Sequence, residues 1–454
     1  MSAEDDFADL KFKIECSEMV LTRTGANGLV VRGPGEVWQN DEGILQFKMF
    51  ALPEGYRGVL EYSFRQRTVG RLLPDEDFFT LEAQDFAQRR WISPRVLPGC
   101  RGGHAQGMVC GRLQELVRTE IQPFGREHCY IRLLIKGKLV FPCNQGTENI
   151  IRIGGVDRQM SNTLNVAFIE DGDYHFEIAH EGEHSVISLQ LPADQATSST
   201  PSRIHESLQF VLGRQLAIMV VETNAGNQSN IRLVSALDRD RGQLPPPLLF
   251  HQLDQGGFVW RMFMCYFRHV HALNQIGWHP ISRHIGSAIE SSAASIDAAV
   301  LALAVAVEGL VGECFPNLVP ANPEFLSNLD NALAALQNVA LSESTRNRIN
   351  GSLNAMRRPR NSDVLHAFIA ARNLTPCLYE SWSRLRNAAA HGGGTGGREI
   401  IETLELRDEV LFLFYSIVFA AINYSGQRTD YSVMGCPQAV WPILQQNAQP
   451  NATI

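Results

Sequence analysis

Three consecutive prolines, Pro245, Pro246 and Pro247, end the segment DRDRGQLPPP at 238–247 and limit what this chain can fold into. Proline lacks a backbone N–H and fixes φ, so such a triplet fits neither a helix interior nor a central strand, and it stiffens a link. The hydrophobic period changes across it. Upstream, short alternating or apolar runs recur at 11–16, 28–32, 44–51, 58–64, 130–135, 150–153, 164–169, 174–178 and 185–191, with two more at 216–223 and 231–235. Turn-forming stretches such as RGPGE, DEGI, LPEGY and EDGDY separate them, and one short helix is expected at 204–212. Many short strands at this spacing predict a mainly-β, sandwich-like or barrel-like fold.

Downstream, apolar residues recur at helical spacing, beginning with Phe258, Met262, Phe263, Tyr266 and Phe267. Further helices are expected over about 280–313 with a break near Ser291, from Asn322 or Pro323 onward, and over 342–356, 362–372, 376–391 and 398–425. The last, containing LFLFYSIVFAAI, suits a central helix of an all-α bundle. The expected class is therefore α+β and multidomain. A β domain spans 1–237, a Pro-rich linker 238–256, a helical domain 257–435 and a tail 436–454. No internal repeat is visible.

Charge narrows the function classes. The formal net charge of −8 argues against indiscriminate nucleic-acid binding. Yet residues 346–398 carry nine arginines against only Asp363 and Glu380, a local balance of +7. The nine cysteines form no C-x-x-C pair and are irregularly spaced, which predicts reduced thiols and a cytoplasmic location. The acidic start MSAEDDFADL does not read as a signal peptide, and no apolar run reaches the roughly 20 residues of a membrane span.

Within the basic region lies ESWSRLRNAAAHGGGTGGR, residues 380–398. Arginine holds a phosphate through a planar fork of donors, and histidine moves a proton near neutral pH. Spacing alone is unselective, since Arg360/His366 and Arg384/His391 also match a loose Arg–His pattern. The setting of Arg386 and His391 is more specific: Trp382 four residues before the arginine, Asn387 directly after it, three alanines between, and glycines that end the helix after His391. On a helix, positions five apart sit about 140° around and about 7.5 Å along the axis. One Arg and one His so placed converge poorly on a single phosphate, whereas two copies across a two-fold axis supply both kinds of group to one cleft.

This RNAAAHG segment resembles the signature of the HEPN superfamily, and VEGL at 307–310 is similar to the acidic-residue helix of that bundle. The resemblance covers about 257–435. It implies a metal-independent endoribonuclease with a site formed across a homodimer or higher homo-oligomer, using Arg386, Asn387 and His391 with Glu308 as a supporting acid. The β-then-α order, the W-x-x-x-F-x-x-Y-F opening of the helical half and the ending YSGQRTDY resemble ApeA-type anti-phage HEPN proteins. That likeness implies RNA cleavage during infection, tRNA among the candidate substrates, and a β domain that senses or restrains.

Such cleavage needs the 2′-hydroxyl deprotonated, phosphoryl charge stabilised and the 5′-oxygen protonated, leaving 2′,3′-cyclic phosphate and 5′-hydroxyl ends. No cofactor or metal is expected. Arg346, Arg348, Arg357, Arg358, Arg360 and Arg384 are candidates for holding RNA phosphates. His175, His180 and His184 near Glu177, Glu181 and Glu183 make a metal site conceivable, but HEGEH reads as an exposed polar hairpin. Two rival readings remain open: a non-catalytic β domain that binds a ligand or phage-derived trigger above a helical dimerisation module, and a toxin held by a separate antitoxin.

Overall fold

The computed structural model describes residues 3–25, 28–65, 73–101, 107–144, 146–153, 156–163, 166–236, 242–250, 257–320, 322–390 and 400–441. These fall into two units: one within Met1–Pro201, Leu216–Asp240 and His251–Gly256, the other within Ser202–Gln215, Arg241–Phe250 and Gly257–Ile454.

Chain order in the first unit is α1 (Ala3–Ala8), β1 (Lys13–Arg23), β2 (Val30–Gln39), β3 (Leu45–Phe50), α2 (Pro53–Arg65), β4 (Phe79–Asp85), β5 (Arg90–Val96), β6 (Gly99–Arg101), β7 (Met108–Arg112), β8 (Glu115–Ile135), β9 (Gly146–Ile153), β10 (Val156–Thr163), β11 (Val166–Asp171), β12 (Tyr174–Glu181), β13 (His184–Pro192) and β14 (Ile218–Val234). Twelve strands form one antiparallel sheet in the order β11-β12-β13-β8-β5-β4-β1-β2-β3-β7-β6, with β14 also paired to β8; β9 and β10 make a separate hairpin. Period-two alternation builds this sheet. In β4 every second side chain from Phe79 to Asp85 is buried. The expected mainly-β unit is present as one continuously hydrogen-bonded antiparallel sheet, which β8, 21 residues long, ties together. This strand pairs with β5 at Val117 and Arg118, with β13 from His128 to Ile135, and with β14 along its length.

Two sequence expectations in this unit are corrected. The run at 58–64 is not a strand but part of α2: Tyr56, Val59 and Tyr62 are buried at a spacing of three, and Pro53 occupies the first turn, where its missing N–H costs nothing. The two strands expected at 216–223 and 231–235 are one strand, β14. Its NAGN stretch forms no hairpin; Gly226, at φ +56°, absorbs register shifts against β8 instead. Strands β4 and β5 were not read from the sequence at all.

The second unit holds α3 (Thr200–Leu212, from Ser202 onward), α4 (Gly257–His271), α5 (Pro280–Ser291), α6 (Ile296–Cys314), α7 (Pro323–Gln337), α8 (Glu343–Ala355), α9 (Asn361–Ala371), α10 (Cys377–Ala390), α11 (Ile400–Ala421) and a short hairpin, β15 (Gly426–Thr429) with β16 (Gln438–Trp441). Side-chain caps fix several starts. Ser295 accepts from the Ala298 N–H, Asn322 accepts from Glu324 and Phe325 with Pro323 in the first turn, and Ser342 accepts from Thr345. Helix α6 packs against α5, α9, α10 and α11. Helix α11 is buried continuously from Val410 to Ala420, as its apolar run predicts.

The expectation of an all-α unit with a tail from 436 is corrected by the hairpin. Arg428 is buried there, its guanidinium 4.2 Å from the Phe412 ring centre and 5.0 Å from that of Trp441. These cation–π contacts and the burial of Trp441 tie the end of the chain to α11. All nine cysteines are free. Among the described residues, no helix is long and apolar enough to cross a membrane.

Candidate active site

Helix α10 docks on α6 through one buried stripe, Leu378, Trp382 and Leu385, at spacings of four and three. The Trp382 indole N–H donates to the carbonyl of Ala304 at 2.9 Å, which fixes both the depth and the rotation of α10. A hydroxyl contact from Ser381 to Glu409 adds a tie to α11. With the stripe anchored, Arg386 falls at the edge of the contact, one turn beyond Trp382. Its guanidinium lies 5.7 Å from the Trp382 ring centre.

Arg386 and Glu308 meet there although 78 positions separate them. Nε donates to Oε2 at 2.7 Å and Nη2 to Oε1 at 3.3 Å, so the pair is bidentate. It is not sealed. The side chains keep 43% and 28% of their exposure, and Nη1 has no hydrogen-bond partner among the described residues. A guanidinium clamped on one edge by a carboxylate, stacked on an indole and open on its remaining edge is oriented at little further entropy cost when an anion arrives.

Asn387 is exposed and its amide reaches the Ser383 hydroxyl at 3.4 Å. His391 lies outside the described residues; α10 is described to Ala390.

The arginines proposed for phosphates divide by what they already hold. Arg346 donates to the carbonyls of Gln337 and Val339 at 3.0 and 2.9 Å, so it closes the end of α7. Arg384 pairs with Glu402, and Arg357 with Asp330 and Asn354. Arg348, Arg358 and Arg360 are exposed and carry no side-chain partner among the described residues. Arg360 is the N-cap residue of α9, and His366 on the same helix packs edge-on against Tyr379, 5.5 Å between ring centres.

From the sequence His284 reads as an ordinary helix residue, and its contacts beside the pair were not foreseen. His284 on α5 approaches Glu313 at 3.3 Å, and its ring covers Gly309, where a Cβ would come within 2.2 Å of it. Gly309 directly follows Glu308, so this small residue lets α5 close on α6 beside the pair. The glycine inside VEGL was the available signal.

In the first unit, the three histidines near the HEGEH turn take separate partners. His175 faces Glu170 at 3.8 Å, His180 bonds the Ser185 hydroxyl at 3.1 Å, and His184 meets the carbonyl of Ala8 at 3.3 Å. Among the described residues, no group of three His, Cys, Asp or Glu is placed to hold a metal. Comparison of the chain with protein-family profiles, curated proteins and solved structures finds no match.

Proposed function

We propose that this chain is a metal-independent endoribonuclease of HEPN type, working as a cytoplasmic homodimer in anti-phage defence. The observation that carries the reading is the half-open Arg386–Glu308 pair, five residues before His391 in RNAAAHG. Arg386 is the group that stabilises charge on the phosphoryl oxygens, and Glu308 holds it at the correct angle. His391, with its symmetry mate, takes the 2′-hydroxyl proton and returns one to the departing 5′-oxygen. Asn387 orients neighbours through its amide. RNA, with tRNA among the candidates, is the substrate, and the β domain senses the trigger or restrains the nuclease.

The test is direct. Purified protein is incubated with total RNA and with tRNA in the presence and absence of a chelator. Fragments ending in 2′,3′-cyclic phosphate, formed equally in both conditions and absent with His391→Ala, are the expected result. Intact RNA, or the same fragments from His391→Ala, would remove the proposal.

A further inference from the structure

The second unit carries a cleft lined by two chemically distinct sets of side chains. One lobe is about 700 Å³ and lies between the start of α7, the end of α8 and the start of α9. Its apolar lining includes Phe325 from α7 and Met356 from the end of α8, 46% and 52% exposed. Its charged lining is Arg357, Arg358 and Arg360 with a single carboxylate, Asp363. An adjoining lobe of about 770 Å³ shares Arg357, Arg358 and Pro359 and extends to Gly312 on α6.

Three observations say what fits. Arg357 is occupied by Asp330, but Arg358 and Arg360 have no side-chain partner among the described residues, so two cations face the cleft unneutralised. The first turn of α9 adds to them: its N-cap is Arg360 itself, with no side-chain cap, and although the Asp363 N–H bonds the Arg360 carbonyl, the N–H of Asn361, which lines the adjoining lobe, has no hydrogen-bond partner among the described residues. The same cleft is lined by a flat ring and a polarisable thioether, Phe325 and Met356, both exposed. Anion donors and an aromatic platform lining one cleft complement a ligand that is itself half phosphate and half planar ring.

We propose that this cleft seats a phosphorylated nucleoside, its base on Phe325 and Met356 and its phosphate on Arg358 and Arg360. We take that nucleotide to be one within an RNA strand. The adjoining lobe reaches Gly312, four residues and about 6 Å along α6 from Glu308. This choice of source rests on the ribonuclease reading; the cleft itself does not.

The test uses full-length His391→Ala protein, which keeps every cleft residue. It is titrated with a fluorescent single-stranded RNA 12-mer and, separately, with uridine and adenosine monophosphates. Arg358→Glu with Arg360→Glu is expected to weaken binding at least about tenfold and to reduce its salt dependence. Phe325→Ala is expected to cost about fivefold or more through lost stacking. All the substituted positions are exposed, and an unchanged melting temperature verifies that each variant folds.

Tight binding of the 12-mer with both losses supports an RNA strand. Equal affinity for monophosphates with the same losses supports the cleft and assigns it a free nucleotide. Loss on arginine reversal but none with Phe325→Ala or Met356→Ala overturns the base seat. No change from any of these substitutions overturns the site. Failure of the ribonuclease reading registers separately, as wild-type protein that leaves RNA uncut while the His391→Ala protein still binds.

Discussion

Two Arg–Glu pairs in the helical unit show how burial decides what a charge is for. Arg203 and Glu206, one turn apart on α3, have no solvent exposure in either side chain and meet at 2.6 Å. Glu206 also accepts from the Ser282 hydroxyl at 2.6 Å, and that hydroxyl accepts from Tyr266 at 2.7 Å. Arg203 donates in turn to the Gln275 carbonyl at 3.0 Å. This pair joins α3 to α4 and α5 and is closed to solvent, with Arg203 Nε buried and without a hydrogen-bond partner among the described residues. Arg386 and Glu308 have the same chemistry, yet they remain partly solvated with a free guanidinium edge. A sealed pair fixes a fold; a half-open pair can meet a substrate.

The contrast breaks most easily at Arg203. Arg203→Ala leaves Glu206 buried without its cation and should cost about 3–5 kcal/mol of stability, read from denaturant unfolding. Arg386→Ala should cost less than about 1 kcal/mol, since its partner can hydrate. Comparable losses at the two positions would erase the distinction.

Acid should weaken the sealed region next. His279 accepts the Ile281 N–H at Nδ1, 3.3 Å, and its backbone N–H faces Glu206, so the ring is held neutral. Burial first, then His269, Arg203 and Arg283, push its pKa down from the ordinary 6.5 to about 4. Between those values the unfolded chain binds a proton that the folded chain refuses. Stability therefore falls as pH drops through that window, by up to about 3 kcal/mol. His279→Asn, which keeps capping chemistry, should flatten the profile. A wild-type profile flat from pH 7 to 4 would show that the imidazole titrates normally.

Smaller effects sharpen the open pair. Glu308→Gln keeps the shape but removes the charge that orients Arg386, so RNA cleavage should slow about tenfold with little loss of stability. An unchanged rate would make the carboxylate a bystander. Arg384→Ala, which breaks the exposed contact with Glu402, should change stability by less than about 0.5 kcal/mol in thermal unfolding.

The helical half was legible because its signals are local. Ser342, Asn322 with Pro323, and the apolar run of α11 announce themselves within a few residues. The β half was harder where one stretch supports two periods. Residues 58–64 alternate well enough for a strand, but Tyr56, Val59 and Tyr62 bury one face of a helix. Gly226 looks like a hairpin glycine and is a bulge within one strand. At the site, the resemblance singled out both Glu308 and Arg386, whereas their bidentate contact depends on the packing of Trp382 under Ala304. The structural duty of Arg346 was invisible, because it is set by where α7 ends.

The account rests on Arg386 acting on a phosphate rather than holding the fold. The deciding measurement is the single-turnover rate of RNA cleavage by wild type and Arg386→Ala, with the melting temperature taken on the same samples. The account predicts a rate at least about a hundredfold lower with the midpoint nearly unmoved. An unchanged rate, or a loss that merely follows unfolding, would contradict it.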